Sequence, residues 1–127
     1  MIMDRKEYAV QLRHSGYNCC QAVLCAFTDK DGEENMKKLG AGFALGMGNM
    51  EGTCGALVAA EMLLGLKTYD GKPLLKKAAA VQEVFKAMCG ATLCKDIKGR
   101  DTGKVLCDCD DCVRNAVAIA ESELFSK

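Results

Sequence analysis

The chain shows little strict alternation of apolar and polar residues, and it contains one proline and no tryptophan. This pattern gives poor support to β-strands and divides instead into helical stretches separated by glycine-rich or Asp/Asn-rich joints. Six helices are predicted, at about 4–14, 18–27, 33–43, 54–66, 73–89 and 110–125, with a short turn around 92–97. The expected fold is therefore an all-α, compact bundle of five or six helices, formed by residues 1–127 as a single domain.

Several residues suit the predicted helix ends. Asn18 and Thr53 are residue types that favour the N-cap, so helices are expected to begin just after them. Pro73 suits the first position of the fifth helix, and Gly90 suits the left-handed residue that closes it. Between the third and fourth helices, the glycine-rich turn over 40–52 permits close approach of the backbone to another helix or to a ligand.

Composition and charge narrow the class of protein. Half of the 127 residues are apolar, which is enough to form a core, and 17 basic side chains balance 17 acidic ones. With no net charge, we expect neither nucleic-acid binding nor attraction to an anionic membrane. The sequence has no run of 18 or more apolar residues, so it predicts no membrane-spanning helix. The N-terminal segment is charged where a signal peptide would be apolar. A cytoplasmic location is therefore predicted.

The nine cysteines are the feature of the composition that points to a specific chemistry. Without an export signal, an odd number of cysteines indicates metal binding or thiol chemistry more than a disulfide framework. A single cysteine is also a common small core residue, and Cys20 and Cys25, inside an apolar helix, are assigned to the core on that ground. Cys89, at a helix end before Gly90, is compatible with a core position and with metal or thiol chemistry.

The placement of the cysteines says more than their number. Four are predicted to lie in the first turn of helices, namely Cys19, Cys54, Cys94 and Cys112. There, unpaired backbone N–H groups and the helix dipole favour a thiolate, which lowers the thiol pKa and creates a nucleophile or a metal ligand. If the four helix starts meet in space, their sulfurs can bind a metal ion or an iron–sulfur cluster, or exchange disulfides.

Two more cysteines are accessory candidates, Cys109 and Cys107. Cys109 and Cys112 form a C-x-x-C pair, which can chelate a metal or form a redox disulfide, but the two aspartates between them are expected to disfavour nearby thiolates. His14 is the only histidine and lies near a helix C-terminus, so a Cys–His thiol protease is not supported.

Four segments follow one another in the order of a known cysteine pattern: NCCQAV at 18–23, CGALVA at 54–59, CKDI at 94–97 and CVRNAV at 112–117. With the glycine-rich 41–48 and LGLK at 64–67, the chain resembles, over nearly its whole length, the redox-active family named for its C…GCAxxG…C…C pattern. The resemblance implies that Cys19, Cys54, Cys94 and Cys112 are the family cysteines. The family's similarity to the cluster-binding part of split-Soret cytochromes implies an iron–sulfur cluster.

This chain departs from the family pattern in two ways. Ala59 stands where the family's C-G-A-x-x-G ends in glycine. The chain also has five cysteines in addition to the four of the family pattern. Alanine is the smallest replacement for glycine, so close helix packing is expected to survive. The extra cysteines leave the full set of ligands open.

Three functions are compatible with these features. The first is a redox-active protein whose four cysteines hold an iron–sulfur cluster for electron transfer or redox sensing. The second is a metal-free thiol–disulfide redox protein, and the third is a zinc-stabilised interaction module. We rank the cluster first because dithiol chemistry needs two cysteines, whereas four indicate a shared site. A redox partner protein and a homo-oligomer both fit the sequence, which identifies no substrate and does not decide whether the protein is an enzyme.

Overall fold

A computed structural model describes residues 4–126, so the first three residues of the charged N-terminal segment, on which the predicted cytoplasmic location partly depends, lie outside it. Seven α-helices lie within this range: α1 Arg5–His14, α2 Cys19–Ala26, α3 Lys30–Gly40, α4 Gly55–Thr68, α5 Leu75–Cys89, α6 Cys94–Lys98 and α7 Cys109–Ala120. The turns Ala41–Phe43 and Glu123–Phe125 are 3-10 helices. The all-α class is confirmed, and the helix count exceeds the predicted five or six because the turn at 92–97 closes into α6.

Local hydrogen bonds explain the helix ends that the sequence predicted correctly. Asn18 caps α2 with a complete capping box, in which its side chain accepts from the Gln21 N–H at 2.8 Å and the Gln21 side chain accepts from the Asn18 N–H at 2.9 Å. Gly90 ends α5 in the left-handed conformation, with φ of 93°. Helix α2 therefore begins at Cys19 and α5 ends at Cys89.

Two predicted helix starts shift toward the C-terminus. Cys54, and not Thr53, is the N-cap of α4, because Thr53 forms an isolated antiparallel bridge with Leu93. Pro73 lies before α5, whose first helical residue is Leu75.

Two other helices begin earlier than predicted, and an aspartate explains each case. The Asp29 side chain accepts from the Gly32 N–H at 3.1 Å, so α3 begins at Lys30. The Asp108 side chain accepts from the Asp111 N–H at 2.8 Å, so α7 begins at Cys109 instead of about residue 110. This second change moves Cys109 into the first turn of α7.

The core forms where α2, α4 and α7 pack together, with α1 against α2 and α7 and α5 against α4 and α7. Leu24, Leu57, Val117 and Phe85 are fully buried there. Ala59, in the position of the family glycine, is also fully buried, so the close packing expected of a small residue is present. None of the helices within residues 4–126 has the length and apolar character needed to span a bilayer.

A half-buried carboxyl in α4 should make stability depend on pH. Oε1 of Glu61 is buried without a hydrogen-bond partner among the described residues, and burial raises the pKa of this side chain from 4.5 to about 7. The folded state therefore holds a proton that the unfolded chain releases between these two values, so stability falls as the pH rises through that window.

We therefore expect Glu61→Gln to stabilise the protein by about 2 kcal/mol at pH 8, since one pKa unit is about 1.4 kcal/mol and partial exposure reduces the full shift. Urea unfolding at pH 4 and pH 8 measures this difference, which should vanish at pH 4. Glu83→Gln, at an exposed position of α5, is the control. An equal response of both variants at pH 8 would contradict the assignment.

Candidate metal and redox centre

The N-terminal ends of α2, α4, α6 and α7 meet around a cavity of about 460 Å³. Each end contributes one cysteine to the cavity lining, and these are Cys19, Cys54, Cys94 and Cys109. Among the described residues that line it there are four thiols and two cationic side chains but no carboxylate.

Three of the four cysteines predicted to form the site, Cys19, Cys54 and Cys94, line this cavity. The fourth, Cys112, lies fully buried further along α7 and outside the lining, and its N–H is already bonded within the helix to Asp108 O at 2.9 Å. Cys109, an accessory candidate in the sequence, takes the cavity position instead. The sequence feature that indicates a helix start at Cys109 is Asp108, which directly precedes it and is a residue type that favours the N-cap.

The glycine-rich segment 44–53 forms one wall of the cavity, to which it contributes Ala44, Leu45, Gly46 and Met50. Leu45 and Met50 have left-handed φ values of 53° and 66°, which are uncommon for residues with a side chain. A β-carbon at Gly46 would overlap the β-carbon of Cys94, so only glycine allows this wall to approach α6 so closely. The surrounding structure must hold this strained backbone in place.

Hydrogen bonds between this wall and α6 supply that support. The Cys94 N–H donates to Gly52 O at 3.0 Å, and the Lys95 N–H donates to Met50 O at 2.9 Å. Glu51 pairs with Lys95 at 3.2 Å and with Arg100 at 2.7 Å. The wall and the N-terminal end of α6, which carries Cys94, are thus fixed to one another.

Two cations, Arg13 and Lys98, face the cysteines in the cavity. Arg13 hydrogen-bonds the Cys19 side chain, and Lys98 hydrogen-bonds that of Cys109. Lys98 also donates to Cys107 O at 3.0 Å and lies 3.7 Å from the Cys112 sulfur. Both cations favour thiolates over thiols at this site.

The two aspartates of the C-x-x-C pair do not line the cavity, and both form ion pairs. Asp110 pairs with Arg13 at 3.0 Å and with His14 at 2.8 Å, while Asp111 pairs with Arg114 at 2.8 Å. The expectation that these carboxylates disfavour a thiolate at Cys109 is therefore wrong, because other side chains neutralise them.

The thiols of Cys19 and Cys109 interact directly. Their hydrogen bond lowers the pKa of Cys109 well below its usual range, and Lys98 and Arg13 add to this effect against the opposing effect of burial. The same hydrogen bond, together with burial, raises the pKa of Cys19. Of this pair, Cys109 is thus the thiol poised to ionise.

Cys54, Cys94 and Cys112 behave differently as free thiols. A hydrogen bond with Cys112, followed by burial, raises the pKa of Cys54, although the N–H groups of Ala56 and Leu57 lower it. Burial raises the pKa of Cys94. The pKa of Cys112 is also raised, since contact with Cys89 and burial outweigh the contact with Cys54. The prediction that a helix start lowers the pKa of Cys19, Cys54, Cys94 and Cys112 is therefore wrong for the free thiols.

A second group of sulfurs lies beside the cavity. The sulfurs of Cys89, Cys107 and Cys112 lie within 4.8 Å of one another, close enough to hold a metal ion together. The sequence left the role of Cys89 open and gave no signal that it meets Cys107. Cys20 and Cys25 are buried, at 0% and 2% exposure, as expected of core cysteines.

The cysteine-containing part of the chain matches a known protein family. Searches of curated proteins and of solved structures find no match to this chain. Residues 17–123, a range that includes every cysteine, match the family described as "Putative redox-active protein (C_GCAxxG_C_C)". Because this match covers most of the chain, the resemblance seen in the sequence is confirmed, and the protein belongs to the redox-active C_GCAxxG_C_C family.

Proposed function

We propose that Cys19, Cys54, Cys94 and Cys109 hold an iron–sulfur cluster in the cavity, and that the protein transfers electrons or senses redox state through it. The observation that carries this proposal is the lining of one cavity by four thiols, each from a different helix start, with no carboxylate among them. Iron–sulfur clusters are usually held by four cysteine thiolates. The donor set therefore fits such a cluster, which would supply one-electron chemistry.

The charges around the cavity support an anionic group. Four thiolates bring a net negative charge, and two cations lie in the cavity wall, namely Lys98 and Arg13, the second of which also pairs with Asp110. The N–H groups of Ala56 and Leu57 at the start of α4 also face the Cys54 sulfur. Hydrogen bonds and positive charges next to ligand sulfurs raise the reduction potential of a bound cluster, so these groups would tune it upward.

The surface beside the cavity offers a place for a redox partner protein. Leu45 and Met47 lie in the strained glycine-rich wall and are 57% and 49% exposed. Cys19 and Cys109 are only half-buried, so they form the solvent-facing side of the sulfur group. We place partner contact at this edge. We also propose a reducing compartment such as the cytoplasm, because thiols that serve as metal ligands persist there.

One observation favours a second function. The Cys19–Cys109 pair combines a thiol-to-thiol hydrogen bond with a thiolate-favouring environment at Cys109, as a metal-free thiol–disulfide protein would require. Zinc bound by the same cysteines is the third alternative. Metal and sulfide analysis separates all three functions.

The deciding experiment compares Cys54→Ser with Cys25→Ser. The first removes a thiol from the cavity lining while keeping a residue type that caps helices well, and the second changes a buried cysteine outside the cavity. After anaerobic reconstitution with iron and sulfide, the unchanged protein and Cys25→Ser should be brown and contain iron and acid-labile sulfide. Cys54→Ser should retain about tenfold less of both.

Unchanged protein that stays colourless and free of iron after reconstitution would overturn the cluster proposal. In that case, paired loss of thiols under mild peroxide and their recovery with dithiothreitol would support the thiol–disulfide function. One zinc ion per chain, whose removal by a chelator unfolds the protein, would support the zinc module.

A further inference from the structure

Cys89, Cys107 and Cys112 form a sulfur triad that the proposed cluster does not use. Cys89 ends α5, Cys107 lies in the loop before α7, and Cys112 lies within α7. Cys89 and Cys112 are buried, at 1% and 0% exposure, and Cys107 is half-buried with its sulfur turned toward them. Three separate segments of the chain thus present one sulfur each to a common point.

Each sulfur of the triad has a hydrogen-bond donor of the chain beside it. Asn115 Nδ2 donates to the Cys89 sulfur at 3.2 Å and reaches the Cys107 sulfur at 3.9 Å. Lys98 Nζ reaches the Cys112 sulfur at 3.7 Å. Such donors stabilise a sulfur that carries negative charge. Three cysteines packed only as small apolar residues would need neither an amide nor an ammonium group next to them.

The spacing of the sulfurs suits one shared ion. A zinc–sulfur bond is about 2.3 Å long, so two sulfurs on one ion lie about 3.8 Å apart. The triad sulfurs all lie within 4.8 Å of one another, so adjustments of about 1 Å or less bring them into bonding positions. No imidazole or carboxylate of residues 4–126 joins the group, which leaves a purely thiolate donor set.

We propose that Cys89, Cys107 and Cys112 form a second metal site, adjacent to the cavity, which binds a thiophilic divalent ion of the zinc class. Three thiols lose three protons and bind the ion, which gives a complex with one negative charge beside the Lys98 ammonium, a cation that this site shares with the cavity. A monovalent ion such as Cu(I) would leave one more negative charge unbalanced in a largely buried place.

Such an ion would have a structural role. It would connect the end of α5 to the start of α7 through the loop over residues 99–108 and would fix Lys98 between the two sulfur groups. Metal binding that exists only in the folded state stabilises that state. The four proposed cluster ligands are not ligands of this site, although the Cys112 thiol contacts that of Cys54.

The test uses the double variant Cys19→Ser/Cys109→Ser, in which two of the four cavity thiols are gone and the triad is intact. Metal-free protein of this kind, titrated anaerobically with Zn²⁺, should bind one ion per chain and melt at a higher temperature with the ion than without it. Adding Cys89→Ser to this background should abolish both effects. Binding of Cu(I) alone, absence of Zn²⁺ binding, or zinc binding that survives Cys89→Ser would overturn the proposal.

A second measurement does not depend on how the variants fold. In the unchanged chain loaded with Zn²⁺, iodoacetamide labelling followed by mass spectrometry should show strong protection of the half-buried Cys107 relative to the metal-free chain, whereas Cys89 and Cys112 are buried in both states. The control is the buried Cys25, whose low labelling should be similar with and without zinc. Equal labelling of Cys107 in both states would overturn the proposal even if zinc binds elsewhere. Iron and sulfide content tests the cluster separately, so the failure of one proposal can be told from the failure of the other.

Discussion

Replacing Gly55 by alanine is expected to destabilise the protein by about 2–3 kcal/mol and to disrupt the cysteine cavity. A β-carbon at this position would overlap the carbonyl oxygen of Phe43 and lie 3.4 Å from the Cys20 nitrogen. Neither neighbour is the flexible end of a side chain, so the start of α4 would have to move. Because Cys54 is the N-cap of that helix, its sulfur would move as well. Urea unfolding and iron content after reconstitution measure the two effects.

Gly65→Ala in the same helix is the matched control. A β-carbon there meets nothing within 4 Å, so the usual preference of helices for alanine should stabilise the protein by about 0.5–1 kcal/mol. Iron content should stay unchanged in this variant. If the two substitutions shift stability in the same direction and by the same amount, close approach at Gly55 does not hold α4 against the Ala41–Phe43 turn.

Local sequence signals were sufficient where a helix end depends on its own residues. The N-cap at Asn18 and the left-handed Gly90 need no tertiary contact to be recognised, and both are present. The same reasoning fails at Thr53, which is a good capping residue but is drawn into a bridge with Leu93. That partner is distant in sequence, so no local pattern could reveal it.

The site was harder to predict than the fold because two of its features depend on tertiary structure. The register of α7 depends on whether Asp108 or a later aspartate caps it, and this choice exchanges Cys109 for Cys112 at the cavity. The charge at Cys109 depends on Arg13 and Lys98, which arrive from other helices. Similarly, the left-handed Leu45, Met47 and Met50 have side chains that usually avoid this conformation, so the sequence gave no sign of them.

Because Cys109 lines the cavity and Cys112 does not, replacing each by serine should have opposite effects on the metal content of the protein. Cys109→Ser should lose most of the iron, about tenfold or more, and keep zinc in the triad, because its sulfur lines the cavity and lies outside the triad. Cys112→Ser should keep the iron and lose the zinc, since its sulfur belongs to the triad and not to the cavity lining. Metal analysis of both variants after separate loading with iron plus sulfide and with Zn²⁺ measures the difference.

Each variant is the control for the other, because both replace one sulfur of the same C-x-x-C pair in the same helix by oxygen. A general weakening of α7 would lower iron and zinc together in either protein. If Cys112→Ser loses iron and Cys109→Ser retains it, the fourth ligand of the cluster is Cys112, as the family pattern indicated. The half-buried Cys109, beside Lys98 and Arg13, would then be a free thiol at the edge of the cluster.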